Sequence, residues 1–199
     1  MEGKDKLRVI INQIEMLSQA EKDLIVEEVH VEDFEKGTVL ISQGQKTSRC
    51  YLVLSGCIRE FTNRHGEEKT TNFFTEGDGT AVYIGGGKNQ VSDYSLECIE
   101  PCTLMIGSES MEDHIRRLVP RLDVLIQQVS KEKLETSRAE MTRFVHSSPE
   151  ERYSHLMNTK PFLFHRVPHH QIASYLGMQP QSLSRIRKRL FDQATQPPI

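Results

Sequence analysis

Between residues 29 and 106 the sequence is a series of short apolar runs, separated by residue pairs suited to tight turns: Lys36-Gly37, Gln43-Gly44, Ser55-Gly56, His65-Gly66, Glu76-Gly77 and Glu100-Pro101. No other feature constrains the fold as much. A long helix does not survive this punctuation, because glycine raises the entropy cost of ordering the backbone and proline removes a donor and clashes with the preceding turn. The runs Thr38 to Ile41, Tyr51 to Leu54, Ile58 to Thr62, Thr70 to Phe74 and Thr103 to Ile106 are therefore predicted strands. Turns this short join antiparallel neighbours, whereas parallel strands need crossovers of about a dozen residues. A compact antiparallel barrel or roll is expected.

The flanks follow the helical period. Leu7, Ile10, Ile11, Ile14 and Leu17 fall on one face over residues 4 to 17, and Ser18 opens a second amphipathic segment reaching about Val29. After Gly107, Leu118, Leu122, Leu125 and Val129 recur every three or four residues and predict one long helix ending near Arg143. Its narrow apolar seam has two outlets, packing on the roll or pairing with a second copy as in a coiled coil, and spacing leaves both open. Ser147-Ser148-Pro149-Glu150 combines a break with a helix start, Ser148 as cap and Pro149 in the first turn. The chain therefore divides into 1–117, 118–146 and 147–199, the last holding helices to about Asn158, over 168–175 and over 180–191.

Charge divides at the same place. Of a net charge of -3 over 199 residues, residues 1–146 hold 18 Lys/Arg against 25 Asp/Glu, and residues 147–199 hold 7 against 3. An acidic body with a basic end suits a chain that meets a polyanion at that end alone. With 37% hydrophobic and 27% charged residues, the composition excludes collagenous and low-complexity chains. No apolar run approaches the roughly 20 residues of a membrane span, and the first residues, MEGKDKLRVIINQIEML, do not resemble a secretory signal. A cytoplasmic chain without a membrane partner is expected. Cys50, Cys57, Cys98 and Cys102 are too few and too irregular for a disulfide framework, and Cys98 and Cys102, on either side of Glu100-Pro101, are expected to be buried structural thiols.

The chemistry concentrates in residues 169–188, HHQIASYLGMQPQSLSRIRK. Ile172 and Leu176 lie one turn apart, Ala173 is small where two helices cross, Gly177 permits a tight turn, and Met178 packs beneath it. Pro180 presets the start of a second helix whose inward stripe is Leu183, Ile186 and Leu190. Gln181, Ser182, Ser184, Arg185, Lys188 and Arg189 are left facing outward. These are the groups that read a duplex: a guanidinium donates two bonds to guanine, an amide pairs with adenine, and hydroxyls and ammonium groups hold phosphates. Arg185 is the leading base reader, and His169 either contacts a phosphate or is simply exposed.

These halves together resemble the Crp/Fnr family of bacterial transcription regulators. The resemblance rests on KGTVLISQGQKTSRCYLVLSGCIREF at 36–61, FFTEGD at 73–78 and VPHHQIASYLGMQPQSLSRIRKRL at 167–190. It implies an α+β fold: an N-terminal antiparallel β-roll of cyclic-nucleotide-binding type with flanking helices, a long dimerisation helix carrying Leu118, Leu122, Leu125 and Val129, and a C-terminal winged helix-turn-helix. It also implies a homodimer on double-stranded DNA at a palindromic site, with RNA polymerase as a further partner if the chain activates. Gln181, Ser182 and Arg185 occupy the family's DNA-contacting positions. Thr80, Val82, Val91 and Ser92 mark the effector pocket. There the chain departs from the family's phosphate cassette, since no Glu stands around Thr80 to Val82 and Val91 replaces the expected arginine beside Ser92. A cyclic phosphate would bear its desolvation cost without a charge-assisted pair, so cyclic AMP is not expected to bind in the usual manner, and no cofactor is assigned. Lys88, three residues away, does not reproduce a fixed guanidinium fork.

Iron-sulfur sensing as in other family members is not expected, because no cysteine precedes Cys50. His165, His169 and His170 lack cysteine partners at zinc-site spacing, so no metal is expected. Nor is there a nucleophile elbow or a paired-carboxylate motif, and an enzyme is the weakest class. The rival is a small-molecule-sensing or protein-interaction module with little DNA binding.

Overall fold

Two helices, α1 (Gly3–Asn12) and α2 (Gln19–Glu28), precede the strands in the computed structural model, which describes residues 3–80 and 91–195. Ser18 caps α2 in a reciprocal box with Glu21, the arrangement that satisfies two otherwise orphaned backbone donors. The described strands are β1 (His30–Phe34), β2 (Val39–Ile41), β3 (Cys50–Ser55), β4 (Ile58–Arg64), β5 (Glu67–Phe74), β6 (Ser95–Cys98) and β7 (Cys102–Gly107). They form two antiparallel sheets, β1-β7-β3 and β2-β6-β4-β5. At the β4–β5 turn both His65 and Gly66 adopt positive φ, 56° and 84°, the twist that suits a two-residue hairpin. Ile41, Val53, Ile58, Phe74, Leu96 and Leu104 fill the space between the sheets, while Leu7, Ile11, Ile25 and Val26 of the leading helices close one end over Leu54.

Two strands lie outside the predicted runs. β1 is an edge strand with His30, Glu32 and Asp33 exposed, so it has no continuous apolar face. β6 is only four residues long, and its partners β2 and β4 are distant in sequence.

After Gly107 come α3 (Glu109–Leu118) and α4 (Leu122–His146). This corrects the single long helix expected to carry Leu118. Pro120 cannot donate to the helical ladder and crowds the preceding turn, so α3 stops and Leu118 ends it, 42% exposed. Leu122 packs against the cluster beneath α1 and α2, Leu125 is half-buried, and Val129 is exposed. No residue of α4 is buried, and Val124, Leu134, Met141 and Val145 add to its exposed apolar surface.

Four helices follow: α5 (Pro149–Thr159), α6 (Leu163–Arg166), α7 (His169–Tyr175) and α8 (Pro180–Thr195). Among the described residues no strand follows Gly107, so the expected wing is not found there. Lys160–Phe162, which joins α5 to α6, is three residues long and too short for a hairpin. These helices share one apolar cluster with the roll: Leu156, Leu163, Val167, Ile172 and Leu183 pack with Cys57, Phe73 and Ile99. α7 lies along β5, an edge strand, where the Thr70 N–H donates to Ser174 Oγ at 3.0 Å and the Phe73 and Tyr175 rings meet edge-on with centroids 5.3 Å apart. Covering an edge in this way satisfies a backbone donor that would otherwise face water.

Candidate nucleic-acid interface

Residues Leu176–Gln179 turn the chain from α7 into α8. The Gly177 N–H bonds to Ser174 O and the Met178 N–H to Ala173 O, which ends α7, and Gly177 has φ +66°. A Cβ at Gly177 would stand 2.9 Å from Arg152 Nη1 and 3.0 Å from Phe144 Cζ, the ends of side chains that can shift, so it is the positive φ that disfavours a side chain there. Ile172, Ala173, Leu176, Leu183 and Ile186 are buried as their spacing requires, with Met178 and Leu190 packed beside them.

That burial fixes the opposite face of α8. Gln181, Ser184, Arg185, Lys188 and Arg189 are exposed and Ser182 is half-buried. Several are engaged locally. Ser184 Oγ donates to Pro180 O at 3.1 Å, Arg185 Nε donates to Gln181 O at 3.4 Å, and Arg189 pairs with Glu150 of α5. Arg189 thus leans toward α5, whereas the bond that holds Arg185 among the described residues is a long one at the helix surface.

Beside this face lies an open cavity of about 870 Å³ between α5 and α8, lined by Tyr153, Met157, His169, Ser184, Arg187 and Lys188 among others. No acidic side chain lines it among the described residues. Arg187 Nη1 lies 3.0 Å from His169 Nε2. Sequence reasoning passed over Arg187. It stands three residues beyond Ser184 on the flank between the buried stripe and the outward face, and its partner His169 is 18 positions away. The cavity gathers cations and hydroxyls of the kind that hold phosphate oxygens.

The effector positions do not gather in this way. Thr80 is buried, and its Oγ1 accepts from the Tyr51 N–H at 3.0 Å while its own N–H donates to Tyr51 O. Ser92 Oγ donates to Tyr94 O at 2.7 Å, and Val91 is 44% exposed. Val82 and Lys88 lie outside the described residues. Both described hydroxyls are engaged with backbone. α4 reaches this side of the roll through Lys133, whose Nζ donates to Gly79 O at 2.7 Å and lies 5.5 Å from the Phe74 ring centroid. Nearby, burial pushes the Glu60 carboxyl above its ordinary pKa, against the hydrogen bond it accepts from Thr71 and the charge of Lys133.

All four cysteines are free thiols. Burial pushes Cys57 up to about 12, and burial with the neighbouring Glu112 carboxylate does the same for Cys50. Cys98 donates toward Cys102, which raises the first and lowers the second.

Residues 31–116 match the family model of the cyclic nucleotide-binding domain. The c-di-GMP responsive global regulator CLP of Xanthomonas campestris superposes with a TM-score of 0.66 at 17% identity, covering 92% of this chain and 96% of its own. A mutant CooA from Carboxydothermus hydrogenoformans gives 0.65 at 15% identity, with 86% and 79% covered. The catabolite activator protein of Thermus thermophilus gives 0.56 at 19%, with 92% and 89% covered. A sequence search among curated proteins finds no significant match. The Crp/Fnr resemblance read from the sequence holds at the level of the fold, over nearly the whole chain.

Proposed function

From a chain with the Crp/Fnr fold, we propose a sequence-specific DNA-binding transcription regulator that acts as a homodimer on a palindromic site. The observation that carries this reading is the outward face of α8: amide, hydroxyl and guanidinium groups stand exposed over a buried apolar stripe, next to a cavity whose lining includes Arg187 and Lys188. In this reading α8 enters the major groove, Arg185 and Gln181 contact base edges, and Lys188, Arg187 and His169 hold phosphates of the flanking strand. The unburied apolar residues of α4 support pairing with a second copy, which brings two copies of α8 to half-sites about 34 Å apart. The chain works without catalysis, in the cytoplasm where the duplex is.

The roll is proposed to sense a ligand other than cyclic AMP bound in the usual way. Val91 supplies no cation, and the Thr80 and Ser92 hydroxyls are engaged with backbone. A thermal-shift screen of the dimer tests this with cyclic AMP, cyclic GMP and, because the Xanthomonas relative is described as c-di-GMP responsive, that dinucleotide. A clear rise in melting temperature with micromolar cyclic AMP contradicts the cassette argument.

DNA binding is tested by fluorescence anisotropy on a labelled duplex at increasing salt. The expected result is a log–log salt slope of about -0.9 per phosphate contacted. No binding to any duplex at low salt contradicts the proposal.

A further inference from the structure

We infer that Arg166 couples the roll to the helices carrying the proposed DNA contacts: its guanidinium bridges Glu76 and Glu100, the two carboxylates that bracket the effector segment, and so sets the pose of α7 and α8. The functional consequence rests on the DNA-binding reading above; the coupling itself does not.

The geometry has one cation and two fixed anions. Arg166 Nη1 and Nη2 donate to the two Glu76 oxygens at 2.9 and 2.8 Å, and Nε donates to Glu100 Oε1 at 3.0 Å. Glu76 Oε1 also accepts from the Gly56 N–H at 2.9 Å, which ties it to the β3–β4 turn. Glu100 stands in the β6–β7 turn beside Ile99, itself part of the apolar contact with α6 to α8. The Arg166 and Glu100 side chains are 23% and 25% exposed, more shielded than an ordinary surface pair, while Glu76 is 46% exposed and its share of the bridge is weakened by water. Only a planar fork with several donors bridges two carboxylates in this way, and a lysine ammonium lacks that geometry.

The position of the bridge gives it its role. Arg166 ends α6, and only Val167 and Pro168 separate it from α7, so a shift of the guanidinium is passed on without slack. Ser147 and Ser148 link α4 to α5, which also meet where Arg143 Nη1 lies 2.6 Å from His155 Nε2 and Arg152 stacks over the Phe144 ring at 4.4 Å. Toward the roll, the C-terminal helices are also held by the Thr70–Ser174 bond and the apolar cluster with Phe73. Thr80, Val91 and Ser92, where the resemblance places the effector, lie in the chain between Glu76 and Glu100.

Hydrogen–deuterium exchange on the full-length chain tests this by reading β5 and α7 peptides, with the Thr70 amide as reporter. Arg166→Ala and Arg166→Lys are each expected to raise exchange there by about 5- to 30-fold, the effect of losing one to two kcal/mol of docking, and to leave α2 and β3 at the wild-type rate. Glu76→Gln and Glu100→Gln, which keep volume and remove charge, serve if the arginine variants do not fold, and the same local rise is expected. Wild-type exchange in all the folded variants overturns the proposal. In parallel, a duplex selected by the wild-type chain from a random pool is offered to Arg166→Ala at altered half-site spacings. Relaxed spacing preference supports the coupling, and unchanged preference despite faster exchange overturns it. If the wild-type chain binds no duplex, the DNA reading fails, and the exchange result alone decides the role of the bridge.

Discussion

At Gly177 two physical demands fall on one atom. Its φ of +66° disfavours a Cβ by about 1 to 2 kcal/mol, and a Cβ there would also displace the ends of the Arg152 and Phe144 side chains by a few tenths of an ångström. Gly177→Ala is therefore expected to lower unfolding free energy in urea by about 2 kcal/mol. An unchanged midpoint contradicts the geometry of the turn. On α8, Arg185→Ala should cost about 1 to 3 kcal/mol of DNA affinity and relax preference at one base pair per half-site, whereas Lys188→Ala should weaken all sequences alike and flatten the salt slope. Equal losses on every sequence from Arg185→Ala would make it a phosphate contact instead. The cysteines make a third case. With burial holding Cys57 and Cys50 up to about 12, iodoacetamide at pH 8 should label the folded chain slowly at these two thiols and fully only in denaturant.

At the scale of elements, α4 carries the assembly claim. A helix with no buried residue and with Val124, Val129, Leu134 and Met141 exposed leaves apolar surface in water unless something covers it. If a second copy does, Val129→Glu combined with Leu134→Glu should convert a dimer to monomers in analytical ultracentrifugation. A wild-type monomer, or a dimer that withstands both charges, contradicts the assembly. Much of the element order was legible in the sequence because turns and helix starts are local: the glycine pairs, Ser18 and Ser148 lie where strands or helices begin and end. The outward face of α8 followed from the 3.6-residue period. What escaped depends on tertiary context. β1 reads as polar because it is an edge, the break at Pro120 was hidden by the apolar spacing across it, and the pairings of Arg187 with His169 and of Arg166 with Glu76 span 18 and 90 positions.

The whole molecule is an acidic roll with a basic end docked on it, and charge joins the two where Arg166 meets Glu76 and Glu100. Burial works to raise the Glu76 pKa, but the Arg166 fork and backbone donors at Glu76 and Gly56 outweigh it and hold the carboxyl below its ordinary 4.5. A group depressed in the folded state contributes stability above its unfolded pKa and loses it as pH falls toward the folded one. Docking should therefore weaken as pH drops below about 4.5, visible as loss of near-ultraviolet tyrosine circular dichroism from Tyr175, and Arg166→Ala should show no such acid step. An identical acid transition in both proteins contradicts the bridge. The central claim, that this chain reads DNA as a symmetric pair, is tested most directly by selecting bound duplexes from a random pool with the purified wild-type protein and sequencing them. The account predicts enrichment of a two-fold symmetric motif with half-sites about one helical turn apart. A pool that stays random after selection, from a folded dimer at low salt, contradicts it.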